Sequence, residues 1–407
     1  MIKGTSLAGA LMVAVAIFGS AGEAQAQASN CSTTLPNPAL PPAFFNWGPA
    51  AICAGASAGS SISSAITTLD VAFLTQSTVF VSSPTNPRPD QMGGGVWIRG
   101  VGGEDRVKSS SSTTSPGTAA IPPGTLNVNS EERIGYGGVQ GGIDIGRFNL
   151  GGSGGSVIVG LTGGVLTTHS VEQLGIGTTD FTVPFVGGYV AVIKDRFFAD
   201  AQVRGNFYQA TTTNANVGLN NSSFNGQGIT FSASAGYSIP IGTFFLEPSG
   251  GIIWTHATFD PLNAAGAVVP FGVPPGTYTF TNQDSTIGRL GLRFGTTVQS
   301  PTVLWQPFIA ASVWDEFSKH STSTFTCTGC TFSLVNDTTR IGTFGQFGIG
   351  TAAQLLNTGW LGYVRADYKT GDNIRGWDIT GGLRYQFPVG DTAAAAPLIT
   401  KARRMGS

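Results

Sequence analysis

RFFADAQVRGNFY, residues 196–208, decides the fold. Phe197, Ala199, Ala201, Val203 and Phe207 fall on one face, and Asp200, Gln202, Arg204 and Asn206 on the other. Alternation with period two marks a strand with one apolar and one polar side. The same pattern recurs in 284–298, where Leu290, Leu292 and Phe294 oppose Arg289 and Arg293. It returns in 358–369, where Trp360, Val364, Ala366 and Tyr368 oppose Arg365, Asp367 and Lys369. In 374–387, Trp377, Ile379, Leu383, Tyr385 and Phe387 oppose Asp378, Thr380, Arg384 and Gln386.

About twelve such segments run from Gly94 onward: 94–102, 133–146, 156–169, 181–194, 196–210, 227–240, 242–257, 284–298, 303–316, 339–354, 358–370 and 374–387. They are long for a soluble sandwich, whose strands run about 5–6 residues, and they suit a tilted membrane strand of about 9–11. Aromatic residues gather near their ends: Trp97, Phe181, Phe197, Phe198, Phe244, Phe245, Trp254, Trp305, Trp314, Trp360, Trp377 and Phe387. That placement suggests interfacial girdles. Long connections (103–132, 170–180, 211–226, 258–283, 317–338) alternate with short ones near Arg147, Asp195, Ile241, 299–302 and 355–357. The expected fold is all-β: a closed antiparallel transmembrane β-barrel of about twelve strands, with an N-terminal helix in the lumen.

Composition agrees. Of 407 residues only 11% are charged, against about 25% in a soluble domain, and 59 are glycine. The net charge of −1 argues against a nucleic-acid partner. A mean hydropathy of +0.14 is too low for a bundle of membrane helices. An Arg or Lys facing hydrocarbon at mid-depth costs about 2–4 kcal/mol. Arg99, Asp144, Asp200, Arg204, Glu247, Arg289, Arg293, Arg365, Asp367, Asp378 and Arg384 are therefore expected to line the lumen.

The chain divides by composition. Residues 1–28 read as a secretory signal: Lys3, an apolar run from Leu7 to Phe18, then Ala24-Gln25-Ala26 and Ala26-Gln27-Ala28. Residues 29–55 form a short Pro-rich segment. In 56–92 a helix precedes a linker; Ile62, Ile66, Leu69 and Phe73 form its apolar stripe, while Ser, Thr and Asp70 make it too polar for lipid. The barrel follows over 93–387, then a tail at 388–407 expected to be disordered and periplasmic. In an exported protein, Cys31 with Cys53 and Cys327 with Cys330 read as disulfides.

The order GGGVWIRGVGGE (93–104), GGVQGGIDI (137–145) and GWDITGGLRYQF (376–387) resembles autotransporter translocator domains over about 60–387. The resemblance implies a twelve-stranded pore with a central helix, through which an N-terminal passenger passes outward. It also implies that Tyr385 and Phe387 belong to the signal read by the outer-membrane assembly machinery, with periplasmic chaperones as further partners. The expected location is the outer membrane of a Gram-negative bacterium, with long loops extracellular and outer-membrane lipid around a barrel expected to be monomeric. The passenger would be vestigial, and the helix has no Asn-Asn pair for self-cleavage. The alternatives are a porin-like diffusion channel, or an adhesin acting through the Ser/Thr-rich loop 109–118. No enzymatic fingerprint occurs, and no cofactor or metal is expected. The nearest approach to catalytic chemistry is His169, His256 and His320 near Asp180, Asp260 and Asp315 at the rim.

Overall fold

The computed structural model describes residues 29–30, 47–74, 87–115, 124–172, 177–267, 273–281, 283–329, 333–356 and 358–388. The expected signal (1–28), Cys31, Cys330 and nearly all of the tail lie outside them. One helix, α1 (Trp47–Leu74), precedes the strands. The first six membrane strands are β1 (Gln91–Ser115), β2 (Gly124–Phe148), β3 (Gly155–Glu172), β4 (Gly177–Lys194), β5 (Phe197–Asn214) and β6 (Leu219–Tyr237). The other six are β7 (Phe244–Phe259), β8 (Ser285–Thr296), β9 (Val303–Glu316), β10 (Phe344–Leu355), β11 (Trp360–Gly371) and β12 (Ile374–Pro388).

Each pairs antiparallel with the next. The last returns to the first, from Ile374 opposite Val107 to Pro388 opposite Gly93. The twelve strands thus form a ring with no free edge, the one sheet form that can cross a bilayer. Short turns close one end. Asp195 takes φ 54° between β4 and β5, a left-handed conformation that Asp tolerates. Gly242 takes φ 64° between β6 and β7.

Alternation sends apolar side chains out and polar ones in. Leu290 and Ile349 are 73% and 65% exposed on the outer face, whereas Arg204 and Arg384 are almost wholly buried. Phe244, Trp305, Trp360 and Tyr385 stand outward near the short-turn end; Trp254, Tyr368 and Trp377 stand outward near the other. Phe244 and Trp254 lie ten residues apart on β7, which at the usual tilt is about the 25 Å height of an apolar band. Five expected girdle residues point the other way, Phe198 among them on the face of Asp200 and Arg204. Phe181, Phe245 and Trp314 are buried inside, and Trp97 donates to the Tyr189 hydroxyl at 2.8 Å. Each falls on the register of the inward face, and register, not residue type, sets direction.

The long connections are largely strands themselves. The β1–β2 ladder continues past the apolar band to Ser115 opposite Gly124. Residues 333–339 pair with β1, 320–327 with 333–339, 276–281 with 320–327, and 262–264 with 276–281. They extend one side of the wall above the band. The Ser/Thr-rich stretch 109–118 is strand as far as Ser115, with Ser109, Ser111 and Thr113 turned inward. Ser29 and Asn30 add a short parallel pairing to Val128 and Asn129 of β2.

Helix α1 begins well before the expected start at 56. Pro49 lies in its first turn, where a missing N–H removes no helical hydrogen bond. Residues 75–86, within the expected helix and linker, lie outside the described residues.

Gly138 marks how closely wall and helix approach. A Cβ there would sit 2.7 Å from the Val165 carbonyl and 3.0 Å from the Phe73 ring. Gly138→Val should destabilise the barrel by about 1–3 kcal/mol. The check is a lower temperature for loss of the fast-migrating folded band on unheated gels.

Candidate functional site: the helix-filled lumen

The helix touches the wall on several sides. Ile62, Ile66, Leu69 and Phe73 are fully buried in one cluster with Leu166, Phe181, Val183, Phe185 and Tyr208. The Phe73 and Phe185 ring centroids lie 5.3 Å apart. Near its start, the Ala51 carbonyl accepts from Tyr278 at 3.0 Å and the Gly55 carbonyl from Ser323 at 3.1 Å. Gly55 sits against the Tyr278 ring, and a Cβ there would come within 3.2 Å of it. At its end Arg99 donates to the Phe73 carbonyl and stacks over the Phe73 ring. A cation at a helix C-terminus also opposes the negative end of the dipole. The helix therefore runs inside the ring, its start toward the long connections and its end toward the short turns.

Asp70 locks the middle. It pairs with Arg204 at 2.8 Å and accepts from Thr255 at 2.6 Å. Arg204 also lies over the Phe185 ring. Both ends of this pair are fully buried, where a charge without its partner costs several kcal/mol.

All eleven expected lumen residues turn inward. Arg384 grips Asp144 through two bonds of 2.7 Å, and Tyr189 donates to the same carboxylate at 2.6 Å. Arg293 pairs with Glu247, and Arg365 with Asp367 at 2.5 Å. Arg289 lies over Trp314 and reaches Ser312. Arg99 donates to Gln140, and Asp200 accepts from Ser234 at 2.6 Å. Asp378 lies 3.4 Å from Lys369.

Lys369 was legible on the polar face of its strand, but its main partner was not. It meets Asp105 at 3.0 Å and the Tyr136 hydroxyl at 2.9 Å. The Arg340–Glu316 pair at 2.9 Å was likewise hidden, joining the end of expected segment 303–316 to the start of 339–354. Two rim histidines do meet carboxylates: His169 with Asp180 at 2.6 Å and His256 with Asp284 at 2.5 Å. Cys53 and Cys327 are disulfide-bonded, with partners outside the described residues. Among the described residues no helix is long and apolar enough to cross a membrane.

The autotransporter β-domain family model matches residues 96–367, more than half of the chain. The chain belongs to the autotransporter β-domain family. Members of this family are outer-membrane β-barrels of Gram-negative bacteria, and the chain is one of them. It is similar in fold to the translocator domain of autotransporter NalP from Neisseria meningitidis, at 13% identity and a TM-score of 0.50, covering 82% of this chain and 99% of that one. The β-domain of the Bordetella autotransporter BrkA matches at 20% identity and a TM-score of 0.49, over 72% of this chain and 98% of that one. No curated sequence matches the chain.

In this autotransporter barrel a second helix anchor sits above the apolar band. Val139 is the outermost exposed apolar residue of β2, and Glu132 lies beyond it. Glu132 accepts from Ser61 at 3.0 Å, Ser170 at 2.9 Å and Ser57 at 3.4 Å. Burial pushes its carboxyl up to about 7 and nearby Glu172 adds to the rise, against the three serine hydroxyls.

Two outcomes follow from these anchors. Asp70→Asn leaves the Arg204 charge unpaired and should cost about 3–5 kcal/mol. Calorimetry of the detergent-folded protein measures the loss. A carboxyl whose folded pKa is raised stabilises the fold fully below its ordinary value near 4.5 and loses that contribution as pH rises through about 7. Hydrogen exchange at Ser57–Ile62 should therefore quicken between pH 5 and pH 8 beyond the intrinsic rate change, and Glu132→Gln should abolish the excess.

Proposed function

We propose that the barrel is a translocator that carries the segment preceding its helix to the cell surface and keeps the helix as a stopper. In this reading the long connections are extracellular, and the short turns and C-terminus are periplasmic. The observation that carries it is the direction of α1: its start meets Tyr278 and Ser323 among the long connections, and its end meets Arg99. Whatever precedes the helix thus leaves at the long-connection rim, where Ser29 and Asn30 pair with β2. The buried Asp70–Arg204 pair and the continuous helix–wall packing weigh against an open diffusion channel.

Assembly in this reading depends on periplasmic chaperones and the outer-membrane assembly machinery, which read the last strand. Tyr385 stands outward and packs on Trp360 with centroids 5.1 Å apart. A Cβ on Gly94 would come within 3.0 Å of the Phe387 ring, so Phe387 lies on the β12–β1 closure.

A protease site inserted after Asn30 should be cut on intact cells. Cutting only after the outer membrane is permeabilised would reverse the orientation. Phe387→Ala should reduce the heat-modifiable barrel in outer-membrane fractions several-fold; an unchanged yield would remove Phe387 from the signal.

A further inference from the structure

Five exposed Lys or Arg residues among those described lie toward the long-connection end: Arg106, Lys108, Arg133, Lys319 and Arg375. Four of them crowd onto the outer face of three adjacent strands. Arg375 of β12 is directly opposite Arg106 of β1, and Arg106 is directly opposite Arg133 of β2. Lys108 stands one outward position higher. Like charges directly opposite across a ladder oppose the pairing. Two carboxylates answer them: Glu104 holds Arg133 at 2.5 Å, and Glu131 lies 4.0 Å from Lys108. The patch keeps a net positive charge.

Its height is specific. The next outward position below Arg375 is Trp377, which is cross-strand from Tyr368, and the next below that is Ile379. The arginine row thus sits immediately above the aromatic belt, where the apolar face ends and headgroups begin. Below it, Glu104, turned onto Arg133, stands between Trp377 and Gly135; one row lower, outward-facing Gly102 and Gly137 put no side chain in the way, and a Cβ on Gly135 would meet nothing within 4 Å. Guanidinium groups bind phosphate oxygens in pairs and tolerate this interface well.

We propose that Arg375, Arg106 and Arg133 form a binding site for the phosphate groups of an outer-leaflet lipid, a phosphorylated glycolipid of the lipid A type. A bridging polyanion relieves the repulsion along the row while its acyl chains lie on the apolar face below Trp377 and Glu104. The choice of leaflet rests on the orientation proposed above.

The test is a native mass-spectrometry titration of the full chain, folded in detergent, with bisphosphorylated lipid A, its monophosphorylated form, phosphatidylglycerol and phosphatidylcholine. The wild type should bind bisphosphorylated lipid A most tightly. The Arg106→Gln/Arg133→Gln/Arg375→Gln variant should lose at least about tenfold in affinity, and Arg147→Gln/Arg196→Gln at the other end should lose none. Equal binding by wild type and triple variant overturns the site, as does complete displacement by excess inorganic phosphate, which would make it a free-anion site. Equal affinity for phosphatidylglycerol overturns the assignment to lipid A. Should the triple variant lack the heat-modifiable band, Arg375→Gln alone carries the same test, with about threefold loss expected. Arginine-dependent binding together with an N-terminus inaccessible on cells would sink the orientation alone.

Discussion

Backbone hydrogen bonding in hydrocarbon is the constraint on which the rest depends. No water is there to satisfy a free N–H or C=O, so a membrane sheet must pair its last strand with its first. Here β12 lies along β1 from Ile374–Val107 to Pro388–Gly93. Twelve antiparallel strands bring both of these to one end of the ring, with the chain leading into β1 arriving at the end from which β12 leaves. Closure makes a cylinder, and a cylinder has an inside that must be filled or wet.

The chain fills it with a helix that neither lipid nor a dry core would accept. Ser57, Ser61 and Asp70 of α1 find partners because the inner wall is itself polar. Ionic pairs below and beside the helix, such as Arg384–Asp144 and Lys369–Asp105, tie strands to each other across the one between them while keeping charge out of lipid. The same alternation that protects the lipid face thus supplies the residues that seat the helix. The direction of that helix, in turn, sets the direction in which the preceding chain leaves.

The membrane band was legible because lipid enforces it. At Phe197–Tyr208 each outward position must be apolar, and the period of two is plain in the sequence. The helical stripe Ile62, Ile66, Leu69 and Phe73 was legible for the same reason, being the part of α1 that packs on an apolar wall. Above the band no lipid demands alternation, so the paired strands containing Asp105 and Glu132 look like Ser/Thr-rich loops. Trp97 and Trp314 misled because an aromatic residue suits a belt or a lumen equally, and a one-residue register decides between them. The Asp70–Arg204 pair spans 134 positions and leaves no local trace. Nor does the row Arg375–Arg106–Arg133, which exists only through ring closure.

Single-channel conductance tests the central claim, a closed ring stoppered by its own helix, most directly. The full chain in a planar bilayer should conduct little, and deletion of Trp47–Leu74 should open a large, steady conductance. Equal conductance with and without the helix would contradict the account.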